Sequence, residues 1–577
     1  MTTSTFDSET CPTCIQFGHV GDRDDFSLSS LSLLRSHTES SRRVPTGYFA
    51  GTVPSRVMDQ STYAFRFLPP LRHSLWIQTV EAILLVLLHS DLLSQSLKSY
   101  PISNLTFGTA AMSPPPQVLV LPFPAQGHVV SFMSLSRGLV EQGFRITFVN
   151  TEFNHGRIAA AMSDKGCDAA GQGGIRMVAI PDGLAPGDDR NDLGKLVDGY
   201  LRVMPGCLEE LITSINESGG GEGDGIGWMI ADENMAWALE VAKKMGIRAA
   251  CYWTASAAML ATMMSIPKMI REGILGADGL PRRHGKYQLS PGMPSVSTTQ
   301  FAWNCAGDAQ GQKIIFQLVV NSNRLLELAE FIICNTVHEM ESPVFALFPN
   351  ILPVGPLISR QRLDHKPMGH FWPEDTTCVK WLDEQPANSV IYVAFGTFTV
   401  FDYRQLQELA LGLELSRRPF LWVVRPELAS EASVAWLDSF RERTAGRGKM
   451  VSWSPQQQIL AHPSIACFLS HCGWNSTMEG VWNGVPFLCW PYFTDQFLNQ
   501  VYICDVWKIG LSLNADDKGT EISREQIRVK LEELLGDEGI KARAMMWKDI
   551  ARKSVGEGGS SYTNLKRIVE EMNGQRV

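Results

Sequence analysis

The sequence predicts an α/β protein made of two Rossmann-like parallel-sheet domains that face each other across a cleft. Short apolar runs that suit buried strands alternate with amphipathic runs that suit helices in both halves of the chain. This alternation is typical of parallel sheets. With 577 residues, the chain is also too long for one ordinary hydrophobic core, so two domains are the natural count.

The first predicted unit begins with an apolar strand, Gln117–Leu121. A turn that contains His128 follows, and then an amphipathic helix over 129–142, which should end at Gly143 before a second strand over 145–150. His128 therefore lies where a strand gives way to a helix, and open α/β sheets place their ligand sites at such carboxyl ends. On its own, the histidine could equally cap the turn.

The segment 453–496 is the most informative part of the sequence. Residues 464–470 suit a buried strand, residues 474–482 suit a helix that Asn483-Gly484 would end, and residues 485–490 suit a second buried strand. The first turn of this helix points free backbone N–H groups outward. It is a ready anion site, because unpaired donors and the helix dipole both favour phosphate.

Side chains around this helix start suit the parts of a nucleotide sugar. Asn475 and Ser476 can add hydrogen bonds in the first turn, and Glu479 lies on the same helix face as Asn475. A carboxylate there can accept two hydrogen bonds from a ribose diol, while His471 can donate to a diphosphate oxygen. Each residue alone has an ordinary structural interpretation, such as packing for Trp453, but the group at this spacing favours a nucleotide-sugar site.

The whole of 453–496 closely resembles the donor-binding signature of plant family-1 UDP-glycosyltransferases, and the resemblance runs from near Met112 to the C-terminus, over about four fifths of the chain. The resemblance implies the GT-B fold, with the acceptor in the first domain and the UDP-sugar in the second. It implies contacts with uracil for Trp453 and Gln456, with the diphosphate for His471, Asn475 and Ser476, with ribose for Glu479, and with the sugar hydroxyls for Trp474, Asp495 and Gln496.

Three further expectations come with this resemblance. The segment 389–397 is similar to a family strand that ends in Phe-Gly-Ser, with Thr397 in place of the usual Ser at a diphosphate contact. The hydroxyl is kept, so we expect crowding rather than loss of binding. Thr254 matches a threonine that faces the donor sugar. In this family a final Gln tends to accompany glucose and a His galactose, so Gln496 favours UDP-glucose.

His128, at the end of the family-like sequence PFPAQGH, matches the family's catalytic base, and Asp232 matches the acid that hydrogen-bonds to it. Asp232 ends a strand over 229–232, so the alternative role of a helix N-cap stays open. His155 ranks below His128 as a base. An acceptor hydroxyl needs a base in order to attack the anomeric carbon, and histidine titrates near neutrality. We expect inversion, from an α-linked donor to a β-glucoside.

No metal and no cofactor other than the UDP-sugar co-substrate is expected. The metal-binding Asp-x-Asp pair of another transferase fold occurs only at Asp22 and Asp24, outside the matched region. A dinucleotide oxidoreductase would need a Gly-x-Gly-x-x-Gly after its first strand, and the turn before the first helix has only Gly127. Two alternatives stay open: another UDP-sugar such as xylose, rhamnose or galactose, or a nucleotide-sugar-binding protein without turnover.

The predicted domain organisation has five parts. They are an unmatched and largely disordered extension over 1–111, an acceptor-binding domain over 112–352, a linker over 353–373, a UDP-sugar-binding domain over 374–559, and a C-terminal helix over 560–577 that packs back on the first domain.

The resemblance implies UDP-glucose and a small lipophilic acceptor with a hydroxyl group as partners, and composition argues against other classes of partner. A net charge of −9 gives no attraction to nucleic acid, and no apolar run is long enough to span a membrane. Asn475-Ser-Thr fits a glycosylation sequon, but a glycan in the phosphate-binding turn would block the donor. We therefore expect a cytoplasmic enzyme; the sequence indicates no oligomeric state.

Overall fold

The computed structural model describes residues 116–162, 174–218, 225–305, 308–358, 369–425, 431–513 and 521–574. All of them belong to one compact unit that begins at Gly108. The predicted extension over 1–111, with its Asp22 and Asp24 pair, lies outside the described residues. So do residues 359–368 of the predicted linker and the last residues of the predicted C-terminal helix.

Strands and helices alternate through the first half of the described chain. In chain order they are β1 (Gln117–Leu121), α1 (Gln126–Glu141), β2 (Arg145–Thr151), α2 (Glu152–Met162), β3 (Ile175–Ile180), α3 (Leu193–Ser218), β4 (Ile226–Asp232), α4 (Trp237–Lys244), β5 (Arg248–Trp253), α5 (Ala257–Met264), α6 (Ile266–Arg271), β6 (Lys286–Gln288), β7 (Ser295–Ser297), α7 (Ala309–Leu325), β8 (Ile332–Cys334), α8 (Ser342–Leu347) and β9 (Ile351–Pro353). Seven strands form a parallel sheet in the order β3-β2-β1-β4-β5-β8-β9, while β6 and β7 pair antiparallel.

The second half repeats the alternation. Its elements are α9 (Thr377–Asp383), β10 (Val390–Ala394), α10 (Tyr403–Leu415), β11 (Phe420–Val423), α11 (Glu431–Thr444), β12 (Gly448–Val451), α12 (Gln456–Leu460), β13 (Ile465–Ser470), α13 (Trp474–Asn483), β14 (Phe487–Cys489), α14 (Gln496–Val501), β15 (Gly510–Ser512), α15 (Arg524–Gly536), α16 (Glu538–Ser554) and α17 (Ser560–Met572). Six parallel strands form a second sheet in the order β12-β11-β10-β13-β14-β15. The predicted α/β class with two parallel sheets is confirmed.

Both sheets have strands that are buried on both faces. Every residue of β10 is buried, and so is all of β1 except its first residue, because helices cover each sheet from both sides. This explains why the strands appear in the sequence as continuous apolar runs rather than as alternating ones. The pattern that predicted the fold class is therefore a direct consequence of the layered architecture.

The predicted boundaries differ from the structure at two informative places. Helix α1 begins at Gln126 rather than at residue 129, so His128 lies inside its first turn. The strand predicted over 485–490 is confined to Phe487–Cys489. The Val485 N–H instead closes α13 by bonding to the Gly480 carbonyl at 3.0 Å. Gly484 supplies the predicted end of α13 with φ of 70°.

The chain returns to the first sheet at its C-terminus. Side chains of α17, among them Ile568 and Met572, are buried in the core beside β1 and β4. The Trp228 indole donates to the Met572 carbonyl at 3.1 Å, and Arg248 pairs with Glu571 at 2.7 Å. The last helix of the described chain thus packs against the first sheet. No helix within the described ranges is both long and apolar enough to cross a membrane.

Candidate active site

A cleft of about 400 Å³ opens at the carboxyl ends of both sheets. In the first sheet it lies at β1 and β4, and in the second at β10 and β13. At each of these pairs the strand order reverses, which is where open α/β sheets bind ligands. Twelve predicted site residues line the cleft: His128, Thr254, Thr397, Trp453, Gln456, His471, Trp474, Asn475, Ser476, Glu479, Asp495 and Gln496. Asp232 lies directly behind them, and His155 does not line the cleft.

His128 and Asp232 form a hydrogen-bonded pair at the carboxyl ends of β1 and β4, in the middle of the first sheet. His128 Nδ1 lies 2.7 Å from Asp232 Oδ2, and Asp232 is fully buried. An ionised carboxylate only accepts hydrogen bonds, so Nδ1 carries the proton of this contact. Nε2 is then the basic atom of the imidazole.

The remaining partners of Asp232 explain its fixed position. The Phe123 N–H donates to Oδ2 at 3.1 Å, and the Asn234 N–H donates to Oδ1 at 3.0 Å. The alternative role of an N-cap therefore also applies, but to the 3₁₀ turn Glu233–Met235 rather than to α4. One carboxylate both caps the turn and holds the imidazole.

Residues from both halves of the molecule influence the pKa of His128. Burial disfavours the imidazolium, but the carboxylates of Asp232 and Asp495 outweigh this penalty and raise the pKa of His128 above its ordinary value. Asp495 belongs to the second sheet, so a residue of the predicted donor side influences the predicted base across the cleft. Thr254 Oγ1 also lies 3.2 Å from His128 Nδ1; sequence reasoning had placed Thr254 only against the sugar.

The first turn of α13 faces the cleft with its donors unblocked. Its N-cap, Gly473, makes no side-chain cap hydrogen bond, so the backbone N–H groups of the first turn remain available to an anion. Nearby backbone is strained, since Cys472 has φ of 66° and Thr494 has φ of 53°. Strain of this kind is common at binding sites, where the surrounding structure imposes it.

His471 is held between two glycines. A Cβ on Gly396 or on Gly473 would lie 2.5 Å from His471 Nε2, well inside any real contact. Nδ1 of His471 is buried and has no hydrogen-bond partner, which is the kind of orphaned polar group that a ligand can satisfy. Burial, with a smaller effect of Arg425, lowers the pKa of His471 to about 4, so the ring is neutral at pH 7.

A hydrogen-bonded network surrounds Glu479. Gln456 Nε2 donates to Glu479 Oε2 at 2.7 Å and to Ser476 Oγ at 2.8 Å. Gln457, which sequence reasoning did not single out, donates to Glu479 Oε1 at 3.0 Å. Gln456, which was expected beside uracil, therefore also contacts Glu479, the carboxylate predicted to bind ribose. Gln457 could have been found from its position, since it follows Gln456 at the start of α12.

At the expected sugar end, several polar groups already have partners within the protein. The Trp474 indole N–H donates to the Asn335 carbonyl at 2.7 Å, so this donor already has a partner within the protein. Gln496 Oε1 accepts from the Tyr492 N–H at 2.8 Å, which leaves its amide nitrogen as the donor. Asn475 Nδ2 donates to the Gly127 carbonyl at 2.7 Å. The predicted phosphate-binding turn therefore contacts the helix that carries His128.

Another part of the cleft lining is apolar. It consists of Phe123, Leu193, Met259, Met263, Trp303, Ile315, Leu318, Val319, Phe398 and Phe493. These side chains come from helices and loops of both halves, in segments far apart in the chain. Within the described residues, no cluster of three His, Cys, Asp or Glu side chains is arranged to hold a metal ion.

The chain is similar over most of its length to known proteins. A family model described as UDP-glucoronosyl and UDP-glucosyl transferase matches residues 315–554. UDP-glycosyltransferase 83A1 of Arabidopsis thaliana is 44% identical over 464 residues, which cover 80% of this chain and 97% of that protein. The 7-deoxyloganetin glucosyltransferase of Catharanthus roseus is 33% identical over 484 residues, which cover 79% and 96%.

A solved structure extends the similarity to three dimensions. The crystal structure of Os79 from O. sativa in complex with UDP has a TM-score of 0.66 and 26% sequence identity, and the match covers 79% of this chain and 100% of that one. The fold is therefore GT-B, as the resemblance implied. The chain belongs to the plant family-1 UDP-glycosyltransferases, enzymes that use a UDP-sugar to glycosylate small metabolites.

Proposed function

We propose that this enzyme transfers glucose from UDP-glucose to a hydroxyl group of a small lipophilic metabolite, with inversion at the anomeric carbon. His128 is the general base, and Asp232 holds its tautomer. One observation carries the proposal: a histidine paired at 2.7 Å with a buried aspartate lines the same cleft as an uncapped helix start. The base and the anion site therefore meet at one place.

The proposed reaction moves one proton and exchanges one bond. Nε2 of His128 takes the proton of the acceptor hydroxyl as its oxygen forms a bond to the anomeric carbon. The bond from that carbon to the phosphate oxygen breaks, and UDP leaves from the opposite face. Asp232 stabilises the imidazolium that forms, as the acid of a hydrolase triad does. Attack opposite the leaving group converts an α-linked donor into a β-glucoside.

Departure of UDP places negative charge at the start of α13. Preorganised donors that face such charge lower the barrier, because they need no reorientation during the reaction. The N–H groups of the first turn, the Asn475 and Ser476 side chains, and the His471 imidazole supply these donors in the proposal. The neutral His471 ring has one N–H, which can donate to the diphosphate when UDP is bound. When UDP is absent, the ring leaves no buried charge without a partner. No step calls for a metal ion.

The apolar end of the cleft supports a lipophilic acceptor. Met259 and Met263 give this end an adaptable surface, since the flexible thioether fills irregular spaces, while Trp303 and Phe493 provide flat faces for a ring. The glucose assignment is supported by Gln496, whose carbonyl is bound to backbone N–H groups, and by the relative named as a glucosyltransferase. Asn475 begins a sequon inside the cleft, which supports a cytoplasmic location.

A screen of donors and acceptors tests this proposal. Purified protein is incubated with UDP-glucose, UDP-galactose, UDP-xylose or UDP-rhamnose against phenolic and terpenoid alcohols. Mass spectrometry detects the product, and the coupling constant of its anomeric proton reports inversion. We expect transfer to be fastest from UDP-glucose and the product to be a β-glucoside. An α-glucoside would contradict the mechanism, and a faster alternative donor would contradict the glucose assignment.

The variant Gln496→His refines the donor assignment. We expect it to lower kcat/KM for UDP-glucose relative to UDP-galactose, because an imidazole cannot reproduce the geometry of the amide. An unchanged donor profile would show that Gln496 does not select the sugar.

A further inference from the structure

An aromatic and cationic stack runs from the first half of the molecule to the predicted uracil-binding tryptophan. The Trp453 and Trp372 rings are stacked, with centroids 4.8 Å apart and planes 28° apart. The Arg157 guanidinium lies 4.2 Å from the centroid of Trp372 and 4.8 Å from that of Phe371. Arg157 belongs to α2, whereas Trp453 follows β12, so the stack joins both halves of the protein.

Trp372 stacks on a tryptophan that lines the cleft. Trp453 is among the residues that line the cleft, but Trp372 is not. An indole has two faces for stacking, and the Trp372 ring occupies one face of Trp453. The orientation of the Trp453 ring in the cleft therefore depends on contact with a side chain outside the cleft lining.

The segment that carries Trp372 is anchored on both sides. The Phe371 N–H donates to Gln126 Oε1 at 2.9 Å, and Gln126 begins the helix that carries His128. The Asp375 N–H donates to the Trp453 carbonyl at 3.0 Å. These bonds fix the backbone before and after Trp372, so the position of its ring is set from both halves of the protein.

We propose that Trp372 is a positioning residue for the donor base: it fixes the plane of Trp453, and Arg157 ties this plane to the first half of the protein. The proposal rests on the proposed function in one respect, the assignment of uracil to Trp453. Offset aromatic pairs and cation–π contacts stabilise such geometry beyond the area they bury. A Trp453 ring without its backing can turn, and a base then stacks on it less well.

The test compares UDP binding and kinetics in Trp372→Ala, Trp372→Phe and Trp453→Ala. In Trp372→Ala we expect the Kd for UDP and the KM for UDP-glucose to rise about three- to tenfold, with the KM for the acceptor unchanged. Trp372→Phe should restore most of the affinity, because a phenyl ring can still stack. Arg157→Met should give a smaller rise in the same constants, and it provides a second measurement if Trp372→Ala fails to fold.

A double-mutant cycle separates positioning from general stability. Because Trp372 acts through Trp453, Trp372→Ala should weaken UDP binding little or not at all in a Trp453→Ala background. Additive losses would overturn the proposal. So would an unchanged Kd for UDP in Trp372→Ala when Trp453→Ala weakens binding. If Trp453→Ala itself leaves the Kd unchanged, the assignment of uracil in the proposed function fails instead.

The chain offers a matched control in a similar stack away from the cleft. Trp436 stacks on Phe440 with centroids 5.7 Å apart, and Arg443 lies 5.5 Å from the Trp436 centroid. None of these three residues lines the cleft. Trp436→Ala should leave the Kd for UDP unchanged, so an equal loss there would show that Trp372→Ala acts through overall stability.

Discussion

The proposed donor and acceptor ends of the cleft are built in different ways. The donor end comes mainly from one continuous segment, 453–496, whose polar side chains bond to one another, as Glu479 does with Gln456 and Gln457. The proposed acceptor end is apolar and collects side chains such as Phe123, Met259 and Trp303 from distant parts of the chain.

This contrast indicates that donor binding constrains the positions of individual side chains more tightly than acceptor binding does. A nucleotide diphosphate has fixed charges and hydroxyls, so its site needs polar groups at set positions, and one strand-turn-helix unit can supply them. A lipophilic acceptor needs mainly shape and apolar area, which many combinations of side chains can provide. The His128 and Asp232 pair interacts with residues of both ends: the Phe123 N–H donates to Asp232, and the Asp495 carboxylate contributes to the raised pKa of His128.

The largest effect is expected from His128→Ala, which removes the proposed base. The transfer rate should fall by about 10²–10⁴, while the Kd for UDP stays close to that of the parent because the donor end is intact. Transfer is measured with saturating UDP-glucose, and binding of UDP by calorimetry.

His155→Ala is the control for that variant. His155 is the other candidate base near the first sheet but does not line the cleft, so its loss should leave the rate unchanged. Retained transfer in His128→Ala together with lost transfer in His155→Ala would reverse the assignment.

Asp232→Asn tests how the base is tuned. A general base must be neutral, so kcat/KM falls as pH drops through the pKa of His128. Asp232 is among the groups that raise this pKa, so the neutral amide should move the acidic limb of the pH profile to lower pH. The rate at the plateau should also fall at least about tenfold, because the imidazolium loses its partner. An acidic limb at an unchanged pH would show that Asp232 does not tune His128.

A smaller and more selective effect is expected from Gly473→Ala, which perturbs the donor end alone. The added methyl group would lie 2.5 Å from His471 Nε2, so the imidazole must move away from the start of α13. We expect the KM for UDP-glucose to rise about tenfold with the KM for the acceptor unchanged. Gly446→Ala is the matched control, because a Cβ there has no heavy atom within 4 Å.

The smallest effect on turnover, and a clear one on stability, is expected from Glu233→Gln. The Glu233 carboxyl is buried without a hydrogen-bond partner, and burial, with a contribution from Asp232, raises its pKa to about 8. The folded state then binds this proton more tightly than the unfolded chain, so the carboxyl destabilises the fold increasingly as pH rises from about 4.5 to about 8.

The amide of Gln cannot ionise, so Glu233→Gln should raise Tm more at pH 8 than at pH 5, with a gain in the free energy of unfolding of up to a few kcal/mol. Thermal melts of parent and variant at both pH values give the comparison. An equal shift at both would show that Glu233 is not protonated in the folded protein. Glu479→Gln is the contrasting variant: burial raises the pKa of Glu479 too, but hydrogen bonds from Gln456 and Gln457 oppose this rise, so the difference between its Tm gains at pH 8 and pH 5 should be smaller.

Local segments were predicted well because short-range interactions define them. The strand Gln117–Leu121 was found with its observed bounds, and α13 with its end at Gly484, since apolar runs and turn residues act within a few positions. Trp372 was missed because nothing in its local sequence signals a stacking partner. The bond from the Trp474 indole N–H to the Asn335 carbonyl was likewise not foreseen, because the two residues are far apart in the chain.

The sequence alone determined the α/β class and the set of polar groups in 453–496, because strand-turn-helix units follow from hydrogen bonding and burial over a few residues. Only the tertiary structure decided the contacts that join the halves, such as Asn475 with Gly127 and Trp372 with Trp453. Their partners are separated along the chain, so their distances depend on how the two sheets pack, which no local pattern contains.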